Sequence, residues 1–132
     1  MSRERNNKLT KVMALSTTAG TAVNTASVDM EGYDEVWFFG NMVTSNASNS
    51  AVLASSSDDA SFVDITGSSV IPSAGNQSFL LTAQASGNLR WIRCEVARGG
   101  ANTVLGEIYA IQFRGRKGPA THGATIEADY VV

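Results

Sequence analysis

Glu35-Val36-Trp37-Phe38-Phe39 is apolar at every position after its first residue. Strand side chains alternate between the two faces of a sheet, so a run apolar on both faces is expected in a central strand covered on both sides. Downstream, Leu89-Arg90-Trp91-Ile92-Arg93-Cys94-Glu95-Val96 interleaves an apolar set with a charged one, which predicts a half-exposed strand. Val104 to Phe113 is again apolar on both faces, with Leu105, Tyr109, Ile111 and Phe113 opposite Val104, Ile108 and Ala110. Its break at Gly106 points to a bulge or a close backbone approach.

Similar β-rich runs recur along the chain and predict strands at Leu9 to Thr17, Thr21 to Met30, Glu35 to Thr44, Ala51 to Ser56, Phe62 to Ile65, Gln77 to Ala85, Leu89 to Ala97, Val104 to Arg114 and Thr125 to Val131. No stretch keeps a helical apolar period over the ~12 residues an amphipathic helix needs, so the expected fold is all-β. Turn chemistry separates the runs at Glu31-Gly32-Tyr33-Asp34, Ser57-Asp58-Asp59-Ala60, Thr66-Gly67-Ser68, Ala74-Gly75-Asn76, Ser86-Gly87-Asn88 and Arg98-Gly99-Gly100-Ala101-Asn102. Such spacing describes an antiparallel two-sheet sandwich, jelly-roll-like, in a single domain spanning residues 1–132. Residues 1–8 and 115–132 are polar, charged or Gly-containing and are expected to form N- and C-terminal arms, the second carrying the last strand.

The chain is 43% hydrophobic and 17% charged, the balance of a folded globular protein. A formal charge of -2 argues against a general nucleic-acid binder, which shows a basic excess on one face. The charges are segregated. Lys and Arg fall at Arg3, Arg5, Lys8 and Lys11 and again at Arg90, Arg93, Arg98, Arg114, Arg116 and Lys117, while Asp29, Glu31, Asp34, Glu35, Asp58, Asp59 and Asp64 occupy the stretch between. Either these charges solvate loops and strand edges, or one copy's acidic region complements a neighbour's basic ends. On the second reading the assembly contacts are Arg3, Arg5, Lys8, Lys11, Arg114, Arg116 and Lys117.

The lone Cys94 allows no internal disulfide, and its place between Ile92 and Val96 marks it as a small core residue. The sequons Asn46-Ala47-Ser48 and Asn76-Gln77-Ser78 matter only in a secreted eukaryotic chain. The polar start Met1-Ser2-Arg3-Glu4-Arg5 is unlike a signal peptide and no apolar run approaches a membrane span, which predicts synthesis and initial residence in the cytoplasm.

Catalytic constellations are thin. The single histidine, His122, falls in the expected C-terminal arm and Cys94 in an apolar strand, so a nucleophile–base pair is disfavoured. Asp58, Asp59 and Asp64 could supply paired carboxylates, but adjacent loop aspartates more often form turns by accepting backbone N–H bonds. They lack the ligand spacing of a calcium loop, and Gly99-Gly100 lacks the third glycine and following helix of a phosphate cradle. Arg114-Gly115-Arg116-Lys117-Gly118 is the densest basic cluster, yet without interleaved aromatics it makes a poor single-strand platform. Trp37, Phe38, Phe39, Trp91, Tyr109 and Phe113 could stack on sugars if exposed together, although their strand patterns favour core packing. We therefore expect no enzyme and assign no catalytic, cofactor-binding or metal-binding residue.

Three motifs recur together: Met30-Glu31-Gly32-Tyr33-Asp34-Glu35-Val36, then Ser56-Ser57-Asp58-Asp59-Ala60-Ser61-Phe62-Val63-Asp64-Ile65, then Arg90-Trp91-Ile92-Arg93-Cys94-Glu95-Val96. Their order resembles a group of small tailed-bacteriophage virion proteins, found among head and head-tail morphogenesis proteins, which share a Gly-Tyr-Asp strand opening, a Ser-Asp-Asp-Gly-Ser-Phe-Thr-Asp-Val turn and an Arg-Tyr-Val-Arg strand. The resemblance runs from about Val23 to Pro119, with Ala60 in place of the turn glycine and Trp91 in place of the tyrosine. It implies a non-enzymatic virion component, foremost a capsid decoration or cement protein that binds the major capsid protein and stabilises the lattice. A homo-oligomer, with a trimer favoured, is expected, and neither a membrane nor a specific nucleic acid is an expected partner. A head-tail connector or tail component is the alternative, and a carbohydrate-binding fibre or receptor module a further one.

Overall fold

The computed structural model describes residues 6–16, 20–44, 48–72, 75–99, 103–115 and 123–126. Among them the regular elements are strands: β1 (Lys8–Met13), β2 (Val23–Asn24), β3 (Val28–Asp29), β4 (Glu35–Met42), β5 (Ser50–Ser56), β6 (Val63–Asp64), β7 (Gln77–Gln84), β8 (Trp91–Ala97) and β9 (Leu105–Phe113). They pair antiparallel into two sheets, one ordered β1-β9-β4-β7 and the other β2-β8-β5-β6, with β3 also on β8. The expected all-β sandwich is therefore the observed one. Among the described residues, no helix is long and apolar enough to cross a membrane.

The core lies between the sheets. Val36, Phe38 and Met42 from β4, Phe79 and Leu81 from β7, and Ile108 and Ala110 from β9 meet Ala51 and Leu53 from β5 and Ile92, Cys94 and Val96 from β8. Burying a side chain as large as Phe38 contributes ~1.5–3 kcal/mol, so this alternating set drives closure. The half-exposed reading of the Leu89 to Val96 run holds: Ile92, Cys94 and Val96 face inward, while Arg93 lies under the Phe62 ring, its guanidinium carbon 3.9 Å from the centroid.

Gly106 acts as its sequence suggested. Pairing between β4 and β9 shifts register between Gly40 and Met42, so Gly106 and Glu107 together oppose Asn41. A Cβ on Gly106 would stand 3.2 Å from the Asn41 carbonyl oxygen. The extra residue also corrects the face assignment along β9. Leu105, expected beside Tyr109, Ile111 and Phe113, is fully buried in the core because one inserted residue moves a side chain to the opposite face.

The strand expected from Thr21 to Met30 is instead two short pieces on β8. The Thr25 N–H donates to the Cys94 carbonyl at 2.9 Å and its Oγ1 accepts from the Cys94 N–H at 3.0 Å, so the segment still follows β8. The next amide, Ala26 N–H, turns to the Val12 carbonyl of the opposite sheet at 2.9 Å, and the ladder breaks there. Of the last expected strand, Thr125 and Ile126 sit at a turn closed by the Ile126 N–H on the Gly123 carbonyl, 2.9 Å, and residues 127–131 lie outside the described residues. At the other end, Asn6 and Asn7 are bonded to the end of β9 through the Gly115 and Arg114 amides.

Several buried polar side chains are bonded across the loops. Gln112 donates from Nε2 to the Asp29 carbonyl at 2.7 Å, and Asn49 donates to Thr103 Oγ1 at 2.9 Å while accepting from the Gly99 amide at 3.0 Å. Arg98, only 5% exposed, donates to the Thr21 carbonyl at 2.7 Å, Ser16 Oγ at 3.0 Å and the Thr103 carbonyl at 3.3 Å. One guanidinium thus ties the β1–β2 and β8–β9 connections together at one end of the sandwich, and Arg98 is a structural staple.

Candidate functional site

Residues of β4, β7 and β9 that alternate with the core set point away from it, and the outer face they build is unusually aromatic. Register places Trp37 beside Ile111 and Thr82, and Phe39 beside Tyr109 and Leu80. Phe113 meets Trp37 edge-on with centroids 4.9 Å apart, and Phe39 stacks on Tyr109 at 5.8 Å with planes 20° apart. Trp37 remains 37% exposed and Leu80 51%. The double-sided apolarity of Glu35 to Phe39 was expected to mean cover on both faces. β4 is central, between β9 and β7, but Trp37 is exposed and Phe39 half-buried on its outer side. Of the six aromatics expected in the core, Phe38 is buried there, whereas Trp37, Phe39, Tyr109 and Phe113 form this face and Trp91 is half-buried at the head of β8.

Polar handles rim the face. Trp37 Nε1 donates to Glu35 Oε1 at 3.1 Å, and Glu35 faces Arg114 across 3.6 Å. Toward the other end, the Tyr109 hydroxyl donates to Glu107 Oε1 at 3.2 Å, and Glu107 pairs with Lys11 at 2.8 Å. The Lys11 hydrogen bond holds the Glu107 carboxyl below its usual pKa, and the same contact raises that of Lys11. An apolar centre with ion pairs at its edge is the anatomy of a protein-docking surface. Stacked rings with polar tips also suit sugars.

The sequence-derived contact residues divide accordingly. Lys11 and Arg114 sit at this rim, each already paired within the chain, and Lys8 heads β1. Arg3, Arg5, Arg116 and Lys117 lie outside the described residues, as does His122. Much of the charge segregation closes internally: Arg90 holds Asp29 through two bonds of 2.8 Å and Glu31 at 2.7 Å. That pairing keeps the Asp29 carboxyl below its usual value. Asp58, Asp59 and Asp64 form no ion pair with the described residues.

The residues weighed for chemistry have structural work. Asp58 accepts from the Ser61 and Ala60 amides at 2.9 and 3.0 Å and from the Ser56 hydroxyl at 2.8 Å, which lowers its carboxyl to about 2 and makes it the turn former expected. Ser27 Oγ donates to Asp59, tying the same turn to the β2–β3 segment. Cys94 is fully buried, and desolvation pushes its thiol up to about 12, the opposite of an activated nucleophile. Among the described residues no group of three or more His, Cys, Asp and Glu could hold a metal ion. A cleft of about 530 Å³ opens beside the Glu31–Glu35 turn, where Glu31 and Glu35 are engaged by Arg90 and Arg114.

No protein-family model matches the chain, and no curated protein matches it. Among solved structures it is similar to the PBSX exported protein XepA. The match has a TM-score of 0.59 at 14% identity, over 99% of this chain and 46% of that one. The chain thus spans about half the length of that solved protein, and what the two share is the fold.

Proposed function

We propose that the chain is a non-enzymatic structural component of a tailed-phage virion, foremost a capsid decoration protein that docks on the major capsid protein and stabilises the lattice. The observation that carries the docking is the partly exposed aromatic face Trp37–Phe39–Tyr109–Phe113 with its rim of Glu35–Arg114 and Lys11–Glu107 pairs. Apolar surface of this kind is favourable to bury, and a charged rim sets orientation. The virion assignment draws support from the motif order shared with small phage head and head-tail proteins, and from a fold shared with an exported protein of phage PBSX. Lys8 and Lys11, with Arg3 and Arg5 just before them, and Arg114, Arg116 and Lys117 beyond β9, are the proposed lattice contacts.

The test is sedimentation of purified protein mixed with empty cognate capsids. Folded protein should pellet with capsids at a fixed ratio, and folded protein that stays in the supernatant overturns the docking. A head-tail or tail role would instead give ring stoichiometry at one vertex. Exposure of Trp37 beside Phe113 and near Tyr109 favours one second reading, a carbohydrate-binding fibre module. A shift of tryptophan emission on adding host-surface glycans would select it.

A further inference from the structure

We propose that two copies of the chain pair antiparallel through β7, joining their four-stranded sheets into one continuous sheet with the two Leu80 side chains side by side at its centre. The starting point is a comparison of sheet edges. β2, β3 and β6 are two residues each, too short to template a partner. β1 carries Lys8 and Lys11, has a register shift between Lys11 and Met13, and is capped where Gly123 donates to the Leu9 carbonyl at 2.8 Å and Ala26 to the Val12 carbonyl at 2.9 Å.

Among the described residues, nothing protects β7 in these ways. Gln77-Ser78-Phe79-Leu80-Leu81-Thr82-Ala83-Gln84 contains no charge, proline or glycine, and its register with β4 runs without a shift from Gln84 to Gln77. The Ala85 amide donates to the Asp34 carbonyl, and alternation from that pair turns the backbone groups of Ala83, Leu81 and Phe79 toward β4. Those of Ser78, Leu80 and Thr82 therefore face outward. Asn88 Nδ2 satisfies the outward Gln84 carbonyl at 2.8 Å, and the segment from Ser78 to Thr82 is open with respect to the described residues.

The occupant follows from the edge itself. Among the described residues the only other open edge of matching length is β7 of a second copy, and an uncharged strand meets itself without like-charge repulsion. Centred on Leu80, the pairing lets Ser78 and Thr82 of opposite copies exchange their backbone bonds under two-fold symmetry. The half-exposed Leu80 gains an identical neighbour across a hydrogen-bonded pair at ~5.5 Å between Cα atoms, and the aromatic faces of both copies become continuous. This inference does not rest on capsid docking.

The test is the mass of the full chain alone by light scattering across a concentration series, compared with Thr82→Pro and Leu80→Lys. Thr82→Pro deletes an outward donor without touching the β4–β7 ladder, and Leu80→Lys places charge on an exposed site. Wild type should show twice the 13.9 kDa chain mass, and both variants a single chain mass with unchanged circular dichroism. If Thr82→Pro fails to fold, Leu80→Lys decides. A wild-type mass of one chain at every concentration, a three-chain mass, or a dimer that survives Leu80→Lys overturns the proposal. Capsid docking can fail while the dimer persists, and the reverse, so the two results are separable.

Discussion

Removing the Arg98 guanidinium should destabilise the fold by far more than removing a surface cation. Arg98 is 5% exposed and donates to Thr21 O, Ser16 Oγ and Thr103 O. Hydrogen bonds to a charged group contribute ~1.5–3 kcal/mol, and a buried acceptor left unpaired costs ~1–3 kcal/mol. Thr21 is exposed, so water can replace its bond, whereas Thr103 is fully buried. Arg98→Met keeps the packed stem and loses the donors, for ~2–3 kcal/mol, whereas Arg98→Ala also opens a gap, for ~3–5 kcal/mol. Arg98→Lys retains one or two donors and should cost ~1–2 kcal/mol. At ~2 cal/mol/K of unfolding entropy per residue, a loss of ~3 kcal/mol lowers Tm by ~11 °C in a chain of 132 residues. Urea titration followed by circular dichroism, with m unchanged, reads the series directly. The staple would be refuted if Arg98→Ala lies within ~0.5 kcal/mol of wild type, the range of an ordinary surface substitution.

Four further outcomes follow from the same geometry. Gly106→Val puts a branched side chain where a Cβ already meets Asn41 O at 3.2 Å, and should cost ~1–3 kcal/mol; Gly87→Ala, with φ +83° and nothing within 4 Å, should cost ~1–2 kcal/mol from backbone strain alone. Equal stability of Gly106→Val and wild type in urea would contradict the bulge. Native Cys94, with its thiol at about 12, should resist a thiol reagent at pH 8 and react fully in denaturant, and fast native labelling would place it outside the core. Asp58 has a folded pKa depressed from 3.8 to about 2, so the stability it adds is present above pH ~4 and lost as pH falls toward 2. The Tm difference between wild type and Asp58→Ala should therefore shrink across that window; a constant difference from pH 6 to pH 2 would deny the turn its charge.

The fold was legible because strand periodicity and turn chemistry agree locally. The alternation in Leu89 to Val96, the turn glycines Gly32, Gly67 and Gly87 at positive φ, and the break at Gly106 each read correctly from residue type. The outer face was not. A run apolar on both sides marks a central strand equally well whether the second side is covered or left open, and aromatic rather than aliphatic side chains at Trp37, Phe39, Tyr109 and Phe113 were the signal for the open case. Arg98 was hidden for the opposite reason: a guanidinium reads as a surface charge unless the carbonyls that surround it are known. The sequence left the acidic middle and basic ends open between solvated loops and contacts between copies, and missed the internal pairing because Asp29 and Arg90, far apart in sequence, meet only once β3 pairs with β8.

The most direct test of the docking account is electron cryomicroscopy of capsids saturated with the protein. The account predicts added density at fixed lattice sites with the Trp37–Tyr109–Phe113 face against the capsid. Bare capsids, or density that turns this face to solvent, would contradict it.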